Sequence, residues 1–168
     1  MAQVILGLDI NRRYIRAVKI ASTYKTLTAV GFWEQAVETS DDKPYREALI
    51  EALAALKEQG ALSAELVYTA LPPEDVSLHR ITLPFLDRKR IEQTLPYELE
   101  EKLPYSIDEV VYDYTTVSQS KDASVLLVSV VSKEKLALLM GFLSAMSLDP
   151  PLVTVDIYAY PALVKTLM

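Results

Sequence analysis

The chain has 168 residues, 51% of them hydrophobic and 24% charged, with a net charge of −6 and no cysteine. Such a composition belongs to an ordinary globular protein with room for one or two small cores. It excludes a disulfide framework and a thiolate metal site. The acidic balance argues against nucleic acid, whose phosphates need clustered Lys and Arg, and against an anionic membrane surface.

The opening residues Met1–Asp9 lack the basic start and long apolar stretch of a signal peptide. No run approaches the roughly 20 apolar residues that span a bilayer. The expectation is a cytoplasmic domain. Residues 3–9 read as a short buried strand, 14–21 as a second and 26–38 as a third, joined closely enough for an antiparallel meander. Asn11-Arg12-Arg13 forms the first turn. A helix follows over 43–59, with Ser40, Asp41 and Asp42 as N-cap oxygens and Pro44 in its first turn. Tyr45, Ala48, Leu49, Ala52, Leu53 and Leu56 form its buried stripe, and Gly60 is its C′ residue. Residues 65–70 return to the sheet, parallel to the first strand.

Pro72-Pro73 is a stiff junction and marks a boundary. Beyond it lies a strand over 75–83, then a helix over 88–102 capped by Asp87. Ile91, Leu95, Leu99 and Leu103 line its inner side, and Pro96 predicts a kink or break, at about 3 kcal/mol in helix propensity. Strands over 109–118 and 123–131 follow, and then a helix over 133–146 that is apolar on nearly every face. Such a helix is buried on several sides or offers a contact surface. Pro150-Pro151 is the second stiff junction. Residues 152–157 read as a strand back in the first sheet and 158–167 as a final helix. The domain reading is therefore 1–72 with 150–168, bracketing an insertion over 73–149.

Chemistry is sparse. The four glycines are scattered, so no Gly-rich loop cradles a phosphate. The single histidine, His79, lies in the alternating run Val76–Leu83 on the side of Ser77, Ile81 and Leu83, as an ordinary strand histidine. Glu98, Glu100 and Glu101 read as a solvated helix face. No residue stands out as an acid, base, nucleophile or metal ligand.

The segment Leu6-Gly-Leu-Asp9-Ile10, a turn, and Tyr14–Ile20 resembles the first hairpin of actin-like ATPases. A more specific likeness lies in Leu83-Pro-Phe85, Leu95-Pro-Tyr97, Leu103-Pro-Tyr105 and Asp108-Glu-Val-Val-Tyr-Asp-Tyr114. In that order they resemble the inserted subdomain of the pilus-assembly PilM family and the related type II secretion GspL family. The division protein FtsA is a more distant relative that shares the insertion position. The resemblance implies a mixed α/β fold, the first half of an actin-like (ribonuclease H-like) fold with an inserted strand-helix-strand-strand-helix subdomain. It implies a scaffold rather than an enzyme, at the inner face of the bacterial inner membrane. Its partners would be inner-membrane platform proteins and a secretion or assembly ATPase, with a homodimer as a further option and no nucleic acid.

In those families the first strand ends at Asp and typically continues Ile-Gly-Ser-Ser to hold ATP phosphates. Here Asp9 and Ile10 lead into Asn11, Arg12 and Arg13. Glycine's left-handed backbone and the hydroxyls are both replaced, leaving a degenerate phosphate turn. The expectation is no cofactor, with ATP and Mg²⁺ an option only in a longer chain. By position, Leu83, Phe85, Leu86 and Tyr97 would line a cleft for an extended partner segment. The alternative is that these apolar residues fill the insertion's core. Rival functions are half of an actin-like ATPase, resting on Asp9, or a polymerising cytoskeletal protein.

Overall fold

In the computed structural model, residues 2–160 are described. The chain forms two compact units, Met1–Pro73 with Leu139–Met168, and Glu74–Leu138.

The first unit is built on β1 (Gln3–Ile10), β2 (Tyr14–Ser22), β3 (Leu27–Ala36), α1 (Tyr45–Glu58), β4 (Leu66–Leu71) and, late in the chain, β8 (Leu152–Val155). Strand order is β3-β2-β1-β4-β8. The first three strands are antiparallel neighbours, whereas β4 runs parallel to β1 and β8 parallel to β4. One face of this mixed sheet is the core. Leu6, Leu8, Ile10, Ile15 and Ala17 meet Ala48, Leu49, Ala52, Leu53 and Leu56 of α1. Each fully buried leucine contributes about 1.5–3 kcal/mol.

Two details at α1 differ from the sequence expectation. Ser40 and Lys43 exchange backbone hydrogen bonds, 3.1 and 3.0 Å, closing a turn of their own. Pro44 then takes the N-cap position, with no side-chain cap bond from Ser40, Asp41 or Asp42. Tyr45 heads the helix on an exposed position rather than joining the buried stripe, and its hydroxyl reaches the Asn11 carbonyl at 3.5 Å.

The second unit holds β5 (Ser77–Leu83), α2 (Arg88–Glu100), β6 (Val110–Gln119) and β7 (Ser124–Ser132), with strands ordered β5-β7-β6, all antiparallel. Ile81, Leu83, Leu126, Val128 and Val130 pack against Ile91, Leu95 and Leu99 of α2. Asp87 caps α2 by accepting the Arg90 amide at 2.9 Å. Of the kink or break expected at Pro96, the break is absent, since α2 continues through it. Burial of Leu95 and Leu99 on either side outweighs the missing amide bond. His79 lies on the side of Ile81 as read, but its buried Nε2 has no hydrogen-bond partner.

Helix α3 (Lys133–Ala145) spans the division between the units, so the second boundary falls inside it rather than at Pro150-Pro151. Its second half belongs to the first unit because Phe142 and Leu143 are buried in that core. It is not covered all round. Leu138 is exposed, and only Phe142 and Leu143 are buried. The strand read over 152–157 ends at Val155, where a 3₁₀ turn over Asp156–Tyr158 takes over. The final helix read over 158–167 lies outside the described residues from 161 onward.

Helices α1 and α3 end alike. Ala61 donates to the Leu56 carbonyl and Gly60 to that of Lys57; Leu148 donates to Leu143 and Ser147 to Ser144. Both are Schellman closures, which need a left-handed C′ residue. Gly60 adopts φ 73° freely, whereas Ser147 holds φ 63° with a Cβ in the way. Ser147→Gly is therefore expected to stabilise the chain by about 0.5–1 kcal/mol, read as a higher urea midpoint. A fall in that midpoint would contradict the strain.

Candidate functional site

The β1–β2 turn is where an actin-like chain would hold phosphate. Here three of its backbone donors are already used. Asn11 Oδ1 accepts the amides of Arg13 at 3.0 Å and Tyr14 at 2.9 Å, and the Asn11 amide donates to the Tyr14 carbonyl at 3.1 Å. The turn does not need the left-handed backbone that the sequence reading attached to position 11. Among the described residues, Ser147 is the one non-glycine at positive φ. Asn11 acts instead as an Asx acceptor. In this geometry the amides of residues 13 and 14 both donate to Asn11 Oδ1.

Asp9 is also engaged. Across three neighbouring strands, Asp9 pairs with Arg16 and Arg16 with Glu34. The guanidinium lies 3.5 Å from the Asp9 carboxylate and 2.7 Å from that of Glu34. The Glu34 hydrogen bond, above all, raises the Arg16 pKa, with the two carboxylate charges adding to it. Arg12 and Arg13 project as exposed cations that form no ion pair among the described residues. Among the described residues there is no group of three or more acidic or histidine side chains fit to hold a metal ion.

The four residues read as partner contacts separate. Leu83 is buried in the core of the second unit and presents no surface, because it shares the inward side of β5 with Ile81. Phe85 is half-buried against the same core, with the Arg90 guanidinium 4.8 Å above its ring. Leu86, just before the α2 cap, and Tyr97 are exposed. Tyr97 falls between the inward positions Leu95 and Leu99, so it points out.

A family described as type IV pilus assembly protein PilM is matched over residues 7–168. The chain belongs to the PilM family. Among solved structures, the PilM-PilN type IV pilus biogenesis complex matches with a TM-score of 0.78 and 22% identity, over 94% of this chain and 49% of that one. The cytoplasmic domain of EpsL, an inner membrane component of the type II secretion system of Vibrio cholerae, matches with a TM-score of 0.63 and 18% identity, over 92% of this chain and 58% of that one. The chain thus spans about half the length of these structures. No curated protein sequence matches it. The fold is the mixed α/β fold expected from the sequence, shared with the PilM-PilN structure over about half of that chain. Among the described residues no helix is long and apolar enough to cross a membrane.

One surface escaped the sequence reading. The sheet face opposite α1 carries an apolar row, Phe32–Val18–Gly7–Tyr68–Leu152, one residue from each of five strands in register. Phe32, Tyr68 and Leu152 are exposed along it. The signal was present in β3, where leucine, valine and phenylalanine fall on both parities, but a single strand does not reveal a five-strand row.

Proposed function

We propose that this PilM-family chain is a scaffold that docks proteins in a type IV pilus or type II secretion machine and performs no catalysis of its own. It would connect inner-membrane platform proteins to the assembly ATPase from the inner face of the membrane. The observation that carries the scaffold reading over the ATPase reading is Asn11, whose side chain takes the amides that a phosphate would need. The two structural relatives support the setting, one a complex of PilM with PilN and the other an inner membrane component.

Docking of this kind depends on a few exposed apolar anchors inside a polar rim. Tyr97 and Leu86 are the exposed anchors on the second unit. Crosslinking with mass spectrometry in the native cell is expected to recover platform subunits. Tyr97→Ala is expected to weaken their binding by roughly ten-fold or more and to leave the melting temperature unchanged. Unaltered binding by Tyr97→Ala and Leu86→Ala together would move the docking surface elsewhere.

The ATPase reading has one observation in its favour. Asp9 lies near the carboxyl end of β1 beside parallel β4, where open α/β sheets bind ligands. A Mg-ATP titration separates the two readings. Saturable binding, abolished by Asp9→Ala, would make the ATPase reading the better one.

A further inference from the structure

Helix α2 carries its charges against its own dipole. A helix is stabilised by carboxylates in its first turn and cations in its last, and α1 follows that order with Glu47 and Lys57. The first turn of α2 holds Arg88, Lys89 and Arg90 and no acid, and its last turn holds Glu98 and Glu100 and no base. Its C-cap residue is Glu101. Two of the cations are engaged, Arg88 with Glu92 at 2.7 Å and Arg90 over the Phe85 ring. Lys89, Glu98, Glu100 and Glu101 form no ion pair among the described residues. Helical spacing decides which of these charges act together. Ile91, Leu95 and Leu99 face the core, so Lys89, Gln93, Tyr97 and Glu100 form the opposite stripe. All four are exposed, Tyr97 by 72%. Lys89 and Glu100 lie about 16 Å apart along the axis. That is about twice the screening length at physiological ionic strength, so neither neutralises the other.

We infer that this stripe sets the chemistry of the segment that docks on Tyr97. The occupant is a segment of another protein with a carboxylate at one end, a lysine or arginine about 16 Å along it, and an apolar side chain between them that covers Tyr97. The carboxylate meets Lys89 and the cation meets Glu100. Charge complementarity also fixes direction, since a segment laid the other way sets like charges together at both ends. The unfavourable order of charge along α2 has its explanation here. In the free chain these charges oppose the dipole, and a bound segment that supplies their opposites offsets that cost. The inference rests on the docking reading at Tyr97 and adds the partner's charge order to it.

A photo-crosslinking residue placed at Gln93 of the whole chain, in its native cell, is the first step of the test, with exposed Val117 on β6 as the control position. Mass spectrometry is expected to find one captured segment with the stated charge order. That segment, as a synthetic peptide, is then titrated against the whole chain. Lys89→Glu combined with Glu100→Lys is expected to weaken binding by roughly ten-fold or more. The same double variant is expected to raise the melting temperature of the free chain, because its charges then agree with the dipole. A peptide with its acidic and basic residues exchanged is expected to bind that variant well and wild type poorly, which separates charge matching from any change in folding. Capture at Gln93 no greater than at Val117 overturns the inference. So does a captured segment without the charge order, a second copy of this chain, or an exchanged peptide that fails to restore binding. A complex that Tyr97→Ala weakens and the charge exchange leaves unaltered overturns the charge order alone and keeps the docking reading. Unaltered binding by Tyr97→Ala and Leu86→Ala together overturns both.

Discussion

Leu83→Ala is expected to lower unfolding free energy by about 3 kcal/mol. Leu83 is 1% exposed and sits at the end of β5 among Ile81, Ile91, Leu95 and Leu126. Truncation removes three buried carbon atoms and leaves a cavity lined by side chains that the sheet and α2 hold in place. The neighbouring strand β7 constrains any collapse, because Leu83 pairs with Ser124, itself fully buried. Urea unfolding followed by amide exchange over residues 77–132 would measure the loss. The result separates two roles that the Leu-Pro-Phe motif could serve. A core residue loses stability on truncation. An anchor loses partner affinity and keeps its stability, as expected for Tyr97. A Leu83→Ala chain with an unchanged urea midpoint would mean that β5 and α2 do not close over this position.

The contrast between Leu83 and Tyr97 also shows what was readable. The inner stripe Ile91, Leu95, Leu99 follows a four-residue spacing, and that spacing alone puts Tyr97 on the outside. Leu83 shares its parity with Ile81, so its burial was readable too. The family motif drew it into the partner surface although alternation pointed inward. Strand order and direction were equally legible, because two short hairpin connections and one helical crossover leave few ways to assemble β1 to β4.

Other features rest on competition that sequence cannot weigh. At α1, three side chains could have capped the helix, but the Ser40–Lys43 backbone turn took precedence and left Pro44 at the cap. At Pro96, a propensity cost was set against the burial of two leucines, and burial won. At Asn11, attention to glycine's backbone freedom missed that asparagine supplies an acceptor of its own. In β3, Lys19 pairs with Gly31 and Ile20 with Ala29, so Val30 is an extra, bulged residue. The bulge lies in an unbroken apolar run, where nothing marks which residue is the extra one.

The same strand carries the second large expected effect. Gly31→Ala is expected to destabilise the first unit by about 2 kcal/mol, within the range for overpacking. A Cβ built at Gly31 would lie 2.1 Å from Trp33 Cη2 and 2.5 Å from its Cζ3. The indole covers the glycine on the α1 side of the sheet, packs against the first core and has the Lys19 ammonium 5.4 Å from its ring. It cannot yield without giving up those contacts. Glycine inside a strand commonly marks a bulge or a close approach, and here both coincide. Trp33→Leu should relieve the clash, so Gly31→Ala combined with Trp33→Leu is expected to cost less than the sum of the single changes. A coupling of about 0.5–3 kcal/mol is usual for residues in contact. Circular dichroism under urea would measure all four chains, and Trp33, the only tryptophan, would report its own displacement through fluorescence in Gly31→Ala. Strict additivity with an unshifted emission would show that the indole does not lie over Gly31.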